Sequence, residues 1–504
     1  MSPSKLRLPQ ISTDILWPLI VLAGFGFFAS LVPLPPNDFW WHLKIGEIIF
    51  TQHHIPTTNM FGWTLPADQP FVYGAWLGEF LLYALYFFGK LKLVTFTRTI
   101  LIVIAYWLVA YETKRRSGSW RIGALCIGLA AAMTLNNLVV RPQIWSWLPF
   151  MAFYILLSSY AQGKLNRLWL LLCPAIMVFW VNAHGAFILG GILVGIFFIG
   201  ELLRTALSQT NKLSWPQVRW IFWIGVMTGA AMFVNPQGLG SAGYVVNLMT
   251  DQPSQALIIE WQTPSPEGLA NIIFYASILL LILSLAYSRR RLQPTEALLV
   301  VSFLWLAWTG MRYIVWYGMV VMPILMAQLV NLPIPMPRLV PQKNALNTLL
   351  AAILLIPLAL VQPWFVESFP LPVRYWQLVQ IGSPAGPLVD WDNPVAAAEY
   401  LRLNPGGRLF NEMGYGSYLI WAIPKQGVFI DPRVELYPYQ QWDDYIHIIR
   451  ASAYNELLNQ YGVNRILLHK ELQPELAKAL VNDSTWIKEY EDQRAQIWYK
   501  VGSR

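Results

Sequence analysis

The 504-residue sequence has little of what soluble enzymes and metalloproteins depend on. Charged residues make up only 12% of it, histidine occurs 6 times and cysteine twice. Cys126 and Cys173 each lie inside an apolar run, so neither a disulfide framework nor a CxxC metal site is predicted. The GxGxxG, Walker and HExxH patterns are also missing from the sequence, which argues against nucleotide and zinc sites of those types.

Hydrophobic residues are abundant instead, at 56% of the chain, and the mean hydropathy is +0.44. These values indicate a polytopic membrane protein, and its spans should be helices because backbone polar groups in lipid must be satisfied within the segment. Eleven apolar runs predict about eleven transmembrane helices, at 14–34, 93–111, 122–138, 143–160, 167–182, 186–204, 217–234, 270–287, 295–310, 312–331 and 346–363.

A twelfth apolar stretch, residues 75–89, is short and carries Glu79, which favours a juxtamembrane helix. With eleven spans, every cluster of Lys and Arg falls on the cytoplasmic side, as the positive-inside rule requires. We therefore expect a multi-pass protein of the plasma (inner) membrane, with a cytoplasmic N terminus and an extracytoplasmic C-terminal domain. The first span is followed by "PLPP" rather than a small-residue cleavage site, so we interpret it as an uncleaved anchor.

Two domains are predicted from the distribution of hydropathy and charge. Residues 1–365 form a transmembrane domain with a large first external loop, 35–92, and residues 366–504 form a soluble α/β domain. The basic excess belongs to the membrane part, so nucleic acid is excluded as a partner. The tail alternates helical stretches near 440–460 and 471–481 with strand-like runs, namely "GRLFNE", "YGSYLIWAI", "GVFIDPR", "NRILLHK", "WIKEYED" and "AQIWYK".

Polar residues of the membrane part concentrate on the predicted external face. The first loop contributes an acid and a histidine one helical turn apart, followed by a second acid on an apolar helix: Asp38, His42 and Glu79. Span ends contribute Arg141, Asn182, His184 and Arg312. Because polar groups at membrane depth usually face a cavity or each other, we expect these residues to line one wet cavity under the first loop.

This layout resembles the GT-C superfamily of glycosyltransferases that use polyprenyl-phosphate sugars, and the resemblance covers the full chain. The first loop, "NDFWWHLKIGEII" and "HHIPTTNMFGWT" followed by "WLGEFLLYALYFFG", is similar to that of protein O-mannosyltransferase-like and aminoarabinose-transferase-like bacterial membrane proteins. "RPQ", "NAHG" and the tail's "GYGSYLIW" and "FIDPRVELY" belong to the same pattern. The resemblance implies transfer of a sugar from a polyprenyl-phosphate donor to an extracytoplasmic glycan, lipid or protein, with membrane lipid as a further partner.

The resemblance also implies roles for the candidate residues. The acid of the first loop, Asp38, would be the base or the residue that orients the acceptor, with His42 and Glu79 as further catalytic candidates. Substrate-binding candidates are Arg141, Asn182, His184 and Arg312, together with Tyr415 and Asp431 of the tail, whose "NEMGYGSYLIW" and "FIDPR" are similar to acceptor-holding segments of oligosaccharyltransferases. The second external turn, "NNLVVRPQ", lacks the acid that many members carry there. A divalent metal is therefore unsupported, and no metal ligand or cofactor other than the lipid-linked sugar donor is assigned.

Simpler interpretations remain open from the sequence. Asp38 fits the N-cap of the helix "FWWHLKIGEII", and His42 fits an interfacial histidine. Asp431, Arg433 and Glu435 alternate as on one face of a strand, which favours a salt-bridge ladder within the tail. Alternative functions are a lipid-linked glycan polymerase or ligase and a non-catalytic membrane transport or assembly protein.

Overall fold

The computed structural model describes residues 10–238, 240–333, 342–368 and 386–502. Its helices in chain order are α1 Thr13–Leu31, α2 Phe39–Gln52, α3 Trp76–Ser117, α4 Trp120–Met133, α5 Ile144–Ala161, α6 Leu172–Ala183, α7 Ile188–Ala206, α8 Trp215–Ala231, α9 Gly240–Thr250, α10 Gln252–Leu257, α11 Leu269–Tyr287, α12 Pro294–Thr309, α13 Ile314–Val330, α14 Ala345–Leu360, α15 Pro363–Ser368, α16 Val395–Leu403, α17 Met413–Ala422, α18 Tyr439–Ile449, α19 Tyr454–Gln460 and α20 Pro474–Val481. Its strands are β1 Ile11–Ser12, β2 Lys343–Asn344, β3 Leu409–Asn411, β4 Arg465–His469, β5 Trp486–Glu491 and β6 Ala495–Lys500.

A membrane architecture built from helices is confirmed. Among the described residues, 6 helices are long and apolar enough to cross a bilayer, namely Thr13–Leu31, Trp76–Ser117, Ile144–Ala161, Gly185–Ala206, Leu269–Tyr287 and Met311–Val330. Shorter apolar helices lie between them, at Trp120–Met133, Arg167–Ala183, Pro294–Thr309 and Ala345–Leu360. α13 is the central helix of this bundle, because every residue from Ile314 to Gln328 is buried.

α3 consists of two helices that meet at Lys90, whose φ of 53° and ψ of −157° break the helical backbone. Its first part, residues 76–89, packs along α2, and the part after Lys90 joins the bundle. Gly46 of α2 allows this packing, since a Cβ at that position would lie 2.1 Å from the carbonyl oxygen of Glu79. Residues 76–89 therefore belong with the first-loop helix α2.

The C-terminal region, residues 386–502, contains a four-stranded sheet of order β3-β4-β6-β5. β3 pairs with β4 in parallel, with Leu409 opposite Arg465, whereas the β4–β6 and β6–β5 pairs are antiparallel. Three of the strand-like runs correspond to β4, β5 and β6, and "GRLFNE" contains the short strand β3.

The strand prediction for "YGSYLIWAI" is wrong, because this run lies in helix α17. The Glu412 side chain accepts the Tyr415 backbone N–H and so caps the helix. The run is also apolar on several sides because it packs against both the sheet and α2. The strand predicted at 431–435 is likewise replaced by a 3₁₀ turn at Val434–Leu436.

The first loop, residues 35–75, and the C-terminal region pack together. Gly62 forms a parallel bridge with Val428, and the Trp63 indole donates to the Leu409 carbonyl at 3.0 Å. Trp41 and Tyr73 of the first loop belong to the same buried hydrophobic cluster as the sheet. The two segments therefore share one core, and this core faces the bundle at the start of α2.

Candidate active site

Asp38 lies immediately before α2, and its carboxylate faces Arg141. Its Oδ2 lies 3.4 Å from the Arg141 Nε, and the two side chains are 28% and 22% exposed. The Asp38 side chain forms no capping hydrogen bond within the described residues, and the Phe39 N–H is accepted by Asn37 instead. Burial raises the pKa of Asp38 above its ordinary value, and the nearby Arg141 charge opposes this rise.

Arg141 lies between two carboxylates. It follows α4 in the turn before α5, and its Nη1 donates to Glu260 Oε2 at 2.5 Å. Burial disfavours the charged form of Glu260, yet Arg141 holds the pKa of this carboxyl below its ordinary value. The guanidinium group therefore links the first loop to the segment between α10 and α11 that carries Glu260.

Arg312 supplies a second cation on the same side. Its guanidinium carbon lies 4.3 Å from the ring centroid of Trp261, a cation–π contact that fixes it beside Glu260. The Arg312 charge acts on Asp38, where it lowers the pKa. Arg141 and Arg312 thus both lie close enough to Asp38 for their charges to lower its pKa.

His42 and Glu79 form a pair at the interface of α2 and α3. The His42 Nδ1 and the Glu79 Oε1 are 2.8 Å apart, and Glu79 is only 1% exposed. Burial raises the pKa of Glu79 to about 8 and holds the pKa of His42 well below its ordinary value. The contact is therefore a hydrogen bond between two neutral groups at pH 7.

His184 lies at the turn between α6 and α7, where its ring is fixed by hydrogen bonds. Its Nδ1 accepts the Ala186 backbone N–H at 3.2 Å and lies 2.9 Å from Ser146 Oγ. Trp180 donates to the same Oγ, so the serine hydroxyl donates to Nδ1 and the imidazole proton is on Nε2. Burial, helped by the Arg312 charge, lowers the pKa of His184 to about 3. His184 is thus a neutral donor whose position is close enough to affect the pKa of His42.

Asn182 connects three segments by hydrogen bonds. Its Oδ1 accepts the Trp76 indole N–H at 2.7 Å, and its Nδ2 donates to the Val234 carbonyl at 2.9 Å. These contacts join the start of α3, the end of α6 and the turn after α8. The Asn182 amide therefore connects these three segments beside the site.

The two candidates from the tail lie behind the site. Asp431 and Arg433 are fully buried and form a bidentate pair, with Nε–Oδ1 and Nη2–Oδ2 distances of 2.8 and 2.6 Å. Tyr437 also donates to Asp431, and Arg433 donates to the Tyr73 hydroxyl at 3.1 Å. Tyr415 is buried near His469, with ring centroids 5.5 Å apart. Asp431 therefore acts through Arg433, whose charge affects the pKa values of His42 and Glu79.

Two carboxylates of the site were missed by the sequence analysis. Glu260 stands alone among apolar residues in "LIIEWQ", a signal comparable to that of Glu79. Glu435 was predicted to belong to a salt-bridge ladder within the tail. Its carboxylate instead accepts a hydrogen bond from the Tyr244 hydroxyl, outside the tail, at 2.7 Å. Burial raises the pKa of Glu435, and the Asp38 charge adds to this rise.

The residues around Asp38 do not fit a divalent metal. Within the described residues, no three side chains of His, Cys, Asp or Glu are grouped so that they could hold an ion. The place between Asp38 and Glu260 is taken by the Arg141 guanidinium, which contacts both carboxylates. Arginine thus stands where a cation would have to bind.

Comparisons with known proteins identify the fold. No protein-family model and no curated protein matches the sequence. The structure is similar to ArnT from Cupriavidus metallidurans bound to undecaprenyl phosphate, with a TM-score of 0.50, 13% identity, and coverage of 96% of this chain and 98% of that one. It is also similar to the oligosaccharyltransferase AglB from Archaeoglobus fulgidus in complex with an inhibitory peptide and a dolichol-phosphate, with a TM-score of 0.50, 12% identity, and coverage of 90% and 70%. The chain has the fold of these two proteins, and the resemblance found in the sequence is confirmed at the level of the fold.

Proposed function

We propose that this protein is a membrane glycosyltransferase that moves a sugar from a polyprenyl-phosphate donor to an extracytoplasmic acceptor. The observation that carries the proposal is the pairing of a partly buried Asp38 carboxylate with Arg141, with Arg312 as a second cation whose charge reaches Asp38. Such a site combines a proton acceptor with cations, the two elements that transfer from a phosphate leaving group requires.

In the proposed reaction, an acceptor hydroxyl attacks the anomeric carbon of the donor sugar. The bond from that carbon to the phosphate oxygen breaks, and the hydroxyl proton passes to Asp38. Burial raises the pKa of Asp38 and so makes it a stronger base than an exposed aspartate. Arg141 and Arg312 stabilise the negative charge that develops on the departing lipid phosphate. The two structural neighbours were solved with a dolichol-phosphate and with undecaprenyl phosphate, which supports a polyprenyl-phosphate carrier for this chain.

The topology in this proposal has eleven spans and places the site outside. The first part of α3 lies along the outer surface of the plasma membrane. The N terminus is cytoplasmic, and residues 366–504 form an extracytoplasmic domain. A reporter fused after residue 504 should be active outside, and one inserted near residue 290 should be active inside. A cytoplasmic C terminus would contradict both the span count and the position of the site.

Transfer is tested with the purified protein in lipid nanodiscs and a set of radiolabelled polyprenyl-phosphate sugars. Asp38→Asn should lower kcat by roughly 10² to 10⁴ while the protein remains folded, because a positioned base is lost and the size is kept. Arg141→Ala should mainly raise KM for the donor. The exposed residues Asp443 and Arg402 provide matched controls, as Asp443→Asn and Arg402→Ala. Full activity of Asp38→Asn would refute the assignment of the base.

Glu260 gives a test of opposite sign. It occupies a donor of Arg141 that the phosphate of the substrate would need. Glu260→Gln removes the charge that competes with the phosphate for Arg141, so KM for the donor should fall by a few-fold. The effect is modest because the glutamine weakens the hydrogen bond to Arg141 without abolishing it. A higher KM in Glu260→Gln would show that the carboxylate supports donor binding instead.

A further inference from the structure

A side chain of the C-terminal region holds the backbone on both sides of Asp38. The Ser417 Oγ in α17 donates to the Asn37 carbonyl at 2.5 Å and accepts the Trp41 backbone N–H at 3.1 Å. Ser417 is completely buried. One hydroxyl group from the far end of the chain thus bridges the residue before Asp38 and the third residue after it.

Neighbouring contacts fix the same segment. Leu34 forms a parallel bridge with Val389, and the Asn393 amide donates to the Leu34 carbonyl at 2.7 Å. Gly414 lies so close that a Cβ there would be 2.5 Å from the Pro36 carbonyl oxygen. The C-terminal region therefore holds residues 34–37 at several points directly before Asp38.

The Trp41 N–H donates to Ser417, although an N–H at this position of a helix normally donates to the side chain of an N-cap aspartate. Asp38 occupies the N-cap position of α2, and Trp41 is the third residue of that helix. In an ordinary helix, the aspartate carboxylate would turn back onto this N–H to satisfy it. Here the N–H is already satisfied by Ser417, and the Asp38 carboxylate points to Arg141 instead.

We propose that Ser417 is a positioning residue: it caps α2 in place of Asp38 and so leaves the Asp38 carboxylate free to act at the site. The inference rests on the proposed function and adds that the C-terminal region is an integral part of the site. Without the Ser417 hydroxyl, the Trp41 N–H is left without its acceptor, and the Asp38 side chain at the N-cap position can turn to replace it, since the Asn37 side chain already accepts the Phe39 N–H. The carboxylate is then withdrawn from Arg141.

Threonine and valine at position 417 separate the hydroxyl from the effect of added volume. The two side chains have nearly the same shape, but only threonine keeps the Oγ. Ser417→Val should lower kcat by about 10-fold or more relative to Ser417→Thr, because a small displacement of a reacting group is costly, and KM for the donor should stay within about 2-fold. The same pair at Ser284, a buried serine whose hydroxyl donates to the Leu281 carbonyl of its own helix, is the control and should show no such split.

Hydrogen exchange supplies a measurement that needs no substrate. In Ser417→Thr, the amides at the start of α2 should exchange as in the wild type. In Ser417→Val, the Trp41 amide should stay protected when Asp38 takes over the cap and should exchange faster once Asp38→Ala is added, because alanine has no side-chain acceptor. Ser417→Val combined with Asp38→Asn should also lose no more kcat than Asp38→Asn alone.

Equal kcat in the threonine and valine variants, with an active wild type, would refute the positioning role of Ser417. A kcat loss that is additive with Asp38→Asn would also refute it, since the two changes would then act independently. If the wild type transferred no sugar from any polyprenyl phosphate, the proposed function would fail by itself. The exchange of the Trp41 amide would in that case still decide whether Asp38 and Ser417 compete for the cap.

Discussion

Replacement of Glu79 by glutamine should stabilise the protein, and by more as the pH rises. Glu79 is 1% exposed, and its Oε2 has no hydrogen-bond partner among the described residues. Its Oε1 contacts His42, which is held neutral. A glutamine amide keeps the shape of the protonated acid and its hydrogen bond to the imidazole, but it cannot acquire the buried charge.

The size of the effect follows from the proton balance. The folded state keeps the Glu79 proton up to about pH 8, whereas an unfolded glutamic acid loses it near 4.5. Between these values the folded state binds more protons, so the free energy of unfolding falls as pH rises, by about 1.4 kcal/mol per pH unit. At pH 7 the wild type should therefore be less stable than Glu79→Gln by about 3 kcal/mol. The difference should disappear near pH 4.5 and stop growing near pH 8.

His42 acts in the opposite direction and must be separated from Glu79. Its pKa lies well below the unfolded value of 6.5, so it reduces the stability of the fold as pH falls below 6.5. In the wild type the two effects partly cancel in the acidic range. The informative quantity is therefore the difference between the wild type and the Glu79→Gln variant, in which the His42 contribution is common to both.

The measurement is unfolding of purified protein in detergent, followed by tryptophan fluorescence at four pH values from 5 to 8. Glu399→Gln, which removes an exposed acid of α16, is the control and should leave the pH profile unchanged. A difference between wild type and Glu79→Gln that stays constant from pH 5 to pH 8 would refute the neutral pair. It would mean that Glu79 is ionised in the folded protein throughout this range.

Two further changes test the packing that supports the site. Asp431→Ala should destabilise the protein by about 3–5 kcal/mol, because it leaves the fully buried Arg433 charge uncompensated, and adding Arg433→Met should recover most of that loss in the same unfolding assay. Gly46→Ala should lower the unfolding temperature sharply, since its Cβ would collide with the Glu79 carbonyl. The control, Gly229→Ala, adds a Cβ in open space on α8 and should not lower it. Equal effects of the two alanines would contradict the close contact of α2 and α3.

Much of the fold is predictable because a lipid environment imposes simple rules on the chain. Each of the eleven apolar runs contains a helix, since backbone groups in hydrocarbon must pair within their own segment. The break in α3 at Lys90 follows the short stretch that carries Glu79, which is where the sequence analysis separated the juxtamembrane helix from the next span. In the tail, "YGSYLIWAI" misled the analysis because a helix that packs on several sides lacks a clean helical period.

The site is only partly predictable, because many of its contacts join distant segments. Asp38 and Arg141 were found from their type and their place on the face that the sequence predicts to be external. Glu260 is separated from Arg141 by 119 positions, and Ser417 from Asn37 by 380, so no local pattern reports these contacts. The sequence also left open whether Asp38 was a helix cap, a question decided by a serine almost at the other end of the chain.

If the proposed donor binds at Arg141, the charge balance around Asp38 requires one of the two carboxylates to move away. Asp38 and Glu260 carry two negative charges in the ligand-free state, and Arg141 and Arg312 carry two positive ones, so the group is balanced before a substrate arrives. A lipid phosphate adds negative charge in a partly buried place, where uncompensated charge is expensive. Glu260 is the more exposed of the two carboxylates, at 38% against 28%, whereas Asp38 is fixed through the backbone that Ser417 holds. In the proposed reaction, the phosphate would replace Glu260 on Arg141, which would restore the balance and leave Asp38 in place to receive the proton.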